Sequence, residues 1–162
     1  MIRNITAQDA ERCAEIYGYY VKNTCFSLEE TAPTATEYAA RIAEILSKGY
    51  PFLGAENADG TLAGFAYLNT YNARSAYKIT ADRSVYVDKA ALHEHLGGAL
   101  LAAIEAEAKR RGIKNIVSIV TDENENSKIF HEKHGFILEG HIKNVAEKFG
   151  KTLGVYYFRK AL

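Results

Sequence analysis

One stretch of the chain, Ser84 to Gly112, combines a strand-like run, a glycine turn and a long helical pattern. Gly97-Gly98 opens an alanine-rich segment that carries an apolar side chain at every fourth position. The first turn of a helix leaves backbone N–H groups without partners, and the positive end of the helix dipole lies behind them. Such a turn can bind phosphate. The same geometry also forms an ordinary connection between a strand and a helix, so both interpretations stay open at this point.

Histidine and cysteine supply the usual metal ligands and nucleophiles, but their spacing here favours neither role. His93 and His95 resemble a metal-binding pair, yet no further ligands follow with metal spacing, so we predict no metal site. Cys13 and Cys25 lack CxxC spacing and are interpreted as reduced thiols of a cytoplasmic protein. The sequence contains no Walker loop and no dinucleotide-binding fingerprint.

Charge and hydropathy exclude several classes of partner. Twenty Lys and Arg balance twenty Asp and Glu, whereas nucleic-acid binding requires concentrated positive charge. No window has the length and apolar content of a signal peptide or a membrane span. We therefore expect a cytoplasmic protein that binds neither nucleic acid nor membrane, with residues 1–162 forming a single domain.

The pattern of apolar residues and caps predicts a mixed α/β architecture. A strand at 1–5 precedes a helix capped by Thr6, and a second helix begins at Thr34 or Thr36 and closes at Gly49. Further strands are expected at 52–56, 62–69, 84–88, 116–120, 136–142 and 153–159, and further helices at 94–111 and 124–134. This order predicts a mixed sheet with helices on both sides, in which a parallel pair of strands flanks the long helix.

Five segments carry a resemblance that covers almost the whole chain. They are FSLEETAPT (26–34), YPFLGAENADGTLAGFAY (50–67), RSAYKITADRSVYV (74–87), NENSKIFHEKHGF (124–136) and KFGKTLGVYYF (148–158). In this order they resemble the GNAT N-acetyltransferase family, and within it the phosphinothricin acetyltransferase-like branch. The resemblance implies the GNAT fold and a metal-free enzyme that uses acetyl-CoA to acetylate the primary amine of a small amino-acid-like compound, such as phosphinothricin or methionine sulfoximine. A homodimer is common among relatives.

The loop before the long helix departs from the family pattern. That loop usually reads Gln or Arg, Gly, any residue, Gly, any residue, Gly, and it wraps the pyrophosphate of CoA. Only the last of these glycines, Gly97, remains here, and Gly98 follows it. The resemblance still implies CoA binding by His93, Glu94, His95, Leu96, Gly97 and Gly98, by main-chain groups of Val85, Tyr86 and Val87, and by Asn124 and Ser127.

The resemblance also implies two catalytic side chains. Asp82 occupies the position of a family glutamate that removes a proton from the amine; being one methylene shorter, it would act through a water molecule. A solvated aspartate at a strand end is the alternative interpretation. His131 matches a histidine of the branch, and because imidazole titrates near neutrality we expect it to protonate the departing thiolate or to accept a proton from the amine.

Three further residues are expected to line the site of the acceptor amine. Arg74 matches a family arginine whose guanidinium could hold a carboxylate or phosphinate, and an exposed surface arginine is the alternative. Phe26 and Tyr77 lie in segments expected to border the same site. Two other functions remain open, namely acetylation of a protein N-terminus or a polyamine, and a non-catalytic binding module with a degenerate phosphate loop.

Overall fold

The computed structural model describes residues 1–92 and 94–162 and contains one mixed sheet with helices on both faces. His93, one of the predicted CoA-binding residues, lies outside the described residues. The strands are β1 (Ile2–Asn4), β2 (Phe52–Glu56), β3 (Leu62–Thr70), β4 (Thr80–Val87), β5 (Asn115–Thr121), β6 (Ile137–Lys148) and β7 (Lys151–Ala161). The helices are α1 (Ala10–Asn23), α2 (Ala35–Ser47), α3 (Leu96–Arg110) and α4 (Glu125–Lys133). The predicted order of strands and helices is confirmed.

Seven strands form the sheet in the order β1-β2-β3-β4-β5-β7-β6 among the described residues. β4 and β5 run parallel, whereas the other neighbouring strands run antiparallel. The helix α3 connects the parallel pair, as the prediction of a parallel pair flanking the long helix requires. Its side chains Leu100, Leu101 and Ile104 are fully buried against one face of the sheet.

The opposite face of the sheet is covered by α1 and α2. Cys13 and Val21 of α1 and Ile42 of α2 pack there against Phe52 and Phe65 of the sheet. Thr34, one of the two predicted starting points, caps α2: its hydroxyl accepts a hydrogen bond from the amide of Glu37, whose carboxylate accepts one from the amide of Thr34. This reciprocal cap fixes where α2 begins and leaves residues 24–33 as an irregular loop.

Several element boundaries differ from the prediction. β4 begins at Thr80 instead of Ser84, so Asp82 lies inside the strand and not before it. α3 begins at Leu96 instead of Glu94. β6 and β7 extend beyond their predicted ends to a two-residue turn at Phe149-Gly150, where both residues have positive φ, as the turns that match the twist of paired strands require.

Candidate functional site

The parallel strands β4 and β5 separate shortly after they begin to pair. The parallel ladder joins Thr80–Asp82 to Asn115–Val117, and beyond Asp82 the described residues of β4 pair only with β3. β5 continues to Thr121 against its other neighbour, β7. Main-chain groups of residues 84–87 therefore face an opening between the two strands, and the predicted CoA-binding residues Val85, Tyr86 and Val87 lie in this segment. An extended molecule with hydrogen-bonding groups could add to β4 there, in the manner of another strand.

Asp82 is the last residue of the ladder and lies where the two strands diverge. It is half-buried, its cross-strand partner in β3 is Asn69, and its partner in β5 is Val117. Burial disfavours the charged carboxylate and raises the pKa of Asp82 to about 6, and the amide and the positive charge of Arg83 only partly oppose this shift. A carboxylate with a pKa near the working pH suits a general base. Asp82 therefore lies within a strand and is partly shielded from solvent, while its role as the base stays a prediction.

A cavity of about 400 Å³ lies beside the opening, on the face of the sheet covered by α1. Its lining residues are Tyr17, Phe26, Ser27, Leu28, Glu29, Tyr86, Ile119, Thr121 and Val155. Their positions in α1, the 24–33 loop, β4, β5 and β7 converge only in the fold. The size and the mixture of apolar walls with a few polar groups fit a small-molecule ligand.

Tyr86 connects the cavity with the predicted base. Tyr86 and Asp82 lie four residues apart on the same face of β4, which corresponds to about 13 Å along a strand. The ring of Tyr86 packs edge-on against the ring of Tyr17, with 4.8 Å between the ring centroids. It is tilted against the ring of Tyr20, with 5.6 Å between the centroids. The hydroxyl of Tyr20 in turn donates to the carbonyl of Val87 at 2.5 Å. These contacts hold the C-terminal end of β4 against α1.

A smaller cavity of about 180 Å³ lies nearer to Asp82 on the same face. Its lining residues are Tyr38, Arg41, Glu44, Ile45, Phe52, Tyr67 and Asn69. Arg41, in its wall, makes two hydrogen bonds of 2.7 and 2.9 Å to the carboxylate of Glu29, in the wall of the larger cavity. This bidentate ion pair therefore lies between the two cavities, both of which are on the face of the sheet that carries Tyr86 and Asp82.

The start of α3 fits a phosphate group despite its loss of loop glycines. His95 has a φ of 57°, so it adopts the left-handed conformation that the family glycines would permit. A Cβ at Gly97 would lie 3.6 Å from Phe130, and one at Gly98 would lie 3.5 Å from His134, both at ordinary contact distance. The amides of Leu96, Gly97 and Gly98 belong to the first turn, where helical N–H groups lack helical partners. Glu94 is exposed, so its carboxylate can turn away from an anion.

His131 is buried, and both of its ring nitrogens are engaged within the protein. Nδ1 lies 2.6 Å from the carbonyl of Ser127 and must donate, since a carbonyl only accepts. Nε2 therefore accepts from the guanidinium of Arg83 at 2.5 Å. Burial, followed by the charge of Arg83, lowers the pKa of His131 to about 4. The expectation that this imidazole titrates near neutrality is wrong, because protonation would remove the acceptor and place two cations side by side.

Asn124 and Ser127 lie together at the start of α4. The side chain of Asn124 caps the helix by accepting a hydrogen bond of 3.1 Å from the amide of Ser127. The hydroxyl of Ser127 lies 3.3 Å from Nδ1 of His131. α4 begins shortly after β5 ends, at the end of β5 that lies beyond its ladder with β4.

Two predicted acceptor residues lie outside both cavity linings. Arg74 and Tyr77 are exposed in the loop between β3 and β4, where the ring of Tyr77 contacts that of Tyr71 at 5.7 Å. Phe26, in contrast, lies in the wall of the larger cavity and is 39% exposed. The structure therefore brings together Phe26 and Tyr86 and leaves Arg74 and Tyr77 at the surface.

A family model described as an acetyltransferase (GNAT) domain matches residues 2–154. The chain belongs to the GNAT acetyltransferase family. It is 32% identical over 162 residues to a phosphinothricin N-acetyltransferase of Alcaligenes faecalis, covering 99% of this chain and 82% of that protein. The predicted GNAT family, fold and N-acetyltransferase class are confirmed.

Two solved GNAT structures superpose on the chain with a TM-score of 0.96 and 28% identity. One is a phosphinothricin acetyltransferase of Sinorhizobium meliloti in complex with acetyl-CoA, and the match covers 100% of this chain and 88% of that one. The other is a ribosomal-protein-alanine N-acetyltransferase of Brucella melitensis, with 100% and 99% covered. Enzymes with two kinds of acceptor thus share this GNAT architecture.

A metal ion needs several ligands close together, and a membrane span needs a long apolar helix. Within residues 1–92 and 94–162, no three His, Cys, Asp or Glu side chains group closely enough to hold a metal ion. Across the same described ranges, no helix has the length and apolar content needed to span a membrane.

Sequence reasoning missed most of the cavity wall. Tyr17, Ser27, Glu29 and Thr121 carry the polar groups of that wall, and none belongs to a recognisable motif. Ser27 and Glu29 lie in the segment 26–34, which carried the family resemblance and also contains another predicted site residue, Phe26. That proximity was the one signal available.

Proposed function

We propose that this GNAT enzyme transfers the acetyl group of acetyl-CoA to the primary amine of a small amino-acid-like acceptor of the phosphinothricin and methionine sulfoximine type. The observation that carries the proposal is Asp82, a half-buried carboxylate at the divergence of β4 and β5 whose pKa is raised to about 6. The similarity to a phosphinothricin N-acetyltransferase over 99% of the chain supports the acceptor class.

Asp82 acts as the base. An ammonium group has no lone pair, so the acceptor must lose a proton before its nitrogen can attack a thioester. At pH 7 the carboxylate of Asp82 is mostly ionised and can accept that proton. Because the cavity wall at Tyr86 lies about 13 Å along the strand from Asp82, water in the two cavities would have to relay the proton.

Acetyl-CoA, when bound, supplies the acetyl group as a thioester. The main chain of Val85–Val87 would hold its extended arm and offer N–H donors to the carbonyl oxygen on which negative charge develops. The first turn of α3, at Leu96–Gly98, would hold its diphosphate. Asn124 and Ser127, at the start of α4, would contact the arm from the other side of the opening.

His131 serves as a positioning residue in this proposal. It accepts from Arg83, which is the neighbour of Asp82 in β4, and it donates to Ser127 of α4. The neutral ring therefore connects the two elements that border the opening. Solvent water provides the proton for the departing thiolate.

The test is thiol release from acetyl-CoA in the presence of a panel of amino acids and analogues that includes phosphinothricin and methionine sulfoximine. Release that depends on the acceptor, and a matching acetylated product by mass spectrometry, is the expected result. Asp82→Ala should lower turnover while leaving the circular-dichroism spectrum unchanged, and Asp59→Ala, in the exposed β2–β3 turn, is the matched control. No acceptor-dependent release, or full turnover in Asp82→Ala, would contradict the proposal.

A second candidate acceptor is a protein N-terminus. The observation in its favour is the TM-score of 0.96 to the ribosomal-protein-alanine N-acetyltransferase of Brucella melitensis. Peptides beginning with alanine, compared with free amino acids at matched concentration, separate the two functions. A higher kcat/KM for the peptides would favour the second.

We also propose that the enzyme is a cytoplasmic homodimer. The edge strand β6 exposes Ile137, Leu138, Ile142 and Val145, each more than 40% exposed, and such a row of apolar side chains on an edge strand favours pairing with another chain. Cys13 and Cys25 are free thiols, consistent with a reducing compartment. Light scattering after size exclusion tests the dimer, and a monomer at micromolar concentration would contradict it.

A further inference from the structure

A buried lysine from the β6–β7 hairpin reaches the loop that forms one wall of the larger cavity. Lys148, the last residue of β6, is only 2% exposed. Its Nζ donates a hydrogen bond of 2.7 Å to the carbonyl oxygen of Ser27, 121 residues earlier in the chain. A lysine is almost never fully buried unless it is paired, so this contact is unusual.

Ser27 is held at its side chain as well. Its hydroxyl lies 2.8 Å from the hydroxyl of Tyr17, and it accepts a hydrogen bond of 3.2 Å from the amide of Glu29. Glu29 in turn is held by Arg41 of α2. The 24–33 loop is therefore fastened to α1, to α2 and, through Lys148, to the opposite end of the sheet.

The three attachments differ in what they can do for the cavity. Tyr17 and Arg41 belong to α1 and α2, the helices that precede and follow the loop in the chain. Lys148 approaches from the hairpin that continues into β7, and Val155 of β7 lies in the cavity wall. Lys148 therefore joins the loop to the strands across the cavity, and Cys25 of the loop also lies close to Glu123, just after β5.

Burial of the Lys148 ammonium carries a desolvation cost. Burial lowers the pKa of Lys148, and the nearby charges of Glu30 and Glu29 oppose this shift only in part. Its described hydrogen-bond partner is the neutral carbonyl of Ser27 and not a carboxylate. A methionine would occupy similar space without that cost. The retained ammonium points to a role for its hydrogen bond.

We propose that Lys148 is a positioning residue that fixes the 24–33 loop and thereby sets the shape of the acceptor cavity. The proposal rests on the proposed function, since it assigns the acceptor to the cavity beside Tyr86. Lys148 does not touch the reacting atoms. It determines where Phe26, Leu28 and Glu29 lie when the acceptor binds.

The test compares Lys148→Met with Lys109→Met, an exposed position near the C-terminal end of α3. In Lys148→Met we expect KM for the acceptor to rise about tenfold, as the loss of one hydrogen bond from a charged donor implies. KM for acetyl-CoA and kcat should stay within about twofold of wild type, and Lys109→Met should match wild type throughout. Lys148→Arg, which keeps a charged donor, should recover part of the loss.

Hydrogen exchange provides a readout that does not depend on acetyl transfer. Amides of residues 24–31 should exchange faster in Lys148→Met than in wild type, whereas the amides of β3 should not change. If Lys148→Met is too unstable to purify, Lys148→Arg and Tyr17→Phe carry the same comparison, because Tyr17→Phe releases only the side chain of Ser27.

Three results would overturn the proposal. One is an unchanged acceptor KM in Lys148→Met, and another is an equal rise in KM for acetyl-CoA, which would indicate general loosening of the fold. The third is unchanged exchange in residues 24–31. Absence of acetyl transfer in the wild-type enzyme would instead refute the proposed function, and the exchange comparison would still decide whether Lys148 holds the loop.

Discussion

Replacing Asp82 by Asn should remove the base while making the protein more stable. The neutral amide keeps the size of the side chain but cannot accept a proton at neutral pH. General-base catalysis typically contributes about 10²–10⁴-fold to a rate, so kcat/KM at pH 7 should fall by at least about 100-fold. Asp82→Glu, which restores a carboxylate one methylene longer, should retain more activity than Asp82→Asn.

The pKa of about 6 fixes the pH dependence of the wild-type rate. The active form is the carboxylate, so about nine-tenths of the enzyme is active at pH 7 and about one-tenth at pH 5. A solvated aspartate would stay ionised over this range. The acceptor amine contributes its own slope, but that slope is common to wild type and Asp82→Asn. The ratio of their rates should therefore fall about tenfold from pH 7 to pH 5.

Asp82→Asn should lower the rate but raise the free energy of unfolding at neutral pH. Folding raises the pKa of Asp82 above its ordinary value of 3.8, so the folded state favours the protonated form. The contribution of this residue is most favourable below pH 3.8 and declines as the pH rises through about 6. Raising the pKa of Asp82 from 3.8 to about 6 corresponds to a free energy of about 3 kcal/mol as an upper limit, and Asp82→Asn should gain part of that stability at pH 7.

Urea denaturation at pH 5 and pH 7, with initial rates at the same pH values, measures both effects. An Asp82→Asn enzyme with a wild-type rate and an unchanged rate ratio across this range would refute the assignment of the base. An Asn variant less stable than wild type at pH 7 would refute the reasoning about burial.

Three further predictions concern the neighbourhood of the site. His131→Gln should be less stable than wild type at pH 7 but keep the shape of the pH–rate profile. In wild type, the contribution of His131 to the free energy of unfolding is present above pH 6.5 and is lost as the pH falls toward 4. Urea denaturation across that range measures this contribution. His95→Gly should be more stable than His95→Ala by about 1 kcal/mol in thermal denaturation, because position 95 has positive φ; equal melting temperatures would contradict the backbone argument. Gly64→Ala should lower the rate of acetyl transfer and the free energy of unfolding, the latter by about 1–3 kcal/mol. The reason is that its Cβ would lie 3.0 Å from the carbonyl oxygen of Tyr86 and 3.3 Å from the Cα of Val87. Kinetics and a denaturation curve test this, and a fully active, equally stable variant would contradict it.

The order of the elements could be predicted because each has a local signature. The Thr34–Glu37 cap and the turn at residues 57–60 are examples in which a few adjacent residues decide the backbone conformation. The start of β4 could not be predicted in the same way. The segment Thr80–Arg83 carries two charges, and it forms a strand because Arg83 finds buried partners in Ser118 and His131, which are distant in the sequence.

The chemistry of the site followed the same division. The family resemblance pointed to Asp82 as a base, which stays a prediction, whereas the burial of Asp82 depends on a sheet that the sequence does not display. The protonation state of His131 depends on Arg83, 48 residues away. The cavity wall is assembled from five separate segments, so no local pattern of residue types could reveal it.

The position of β7 between β5 and β6 has a consequence for how the chain folds during synthesis. β6 leaves the ribosome before β7, yet it touches the rest of the sheet only through that later strand. Until residues 151–161 emerge, β5 presents an open apolar edge and β6 cannot dock, so the nascent chain exposes surfaces on which chaperones or neighbouring chains can act. Completion of the larger cavity, whose wall includes Val155 of β7, is therefore a late event that requires the β6–β7 hairpin to add to the open edge of β5.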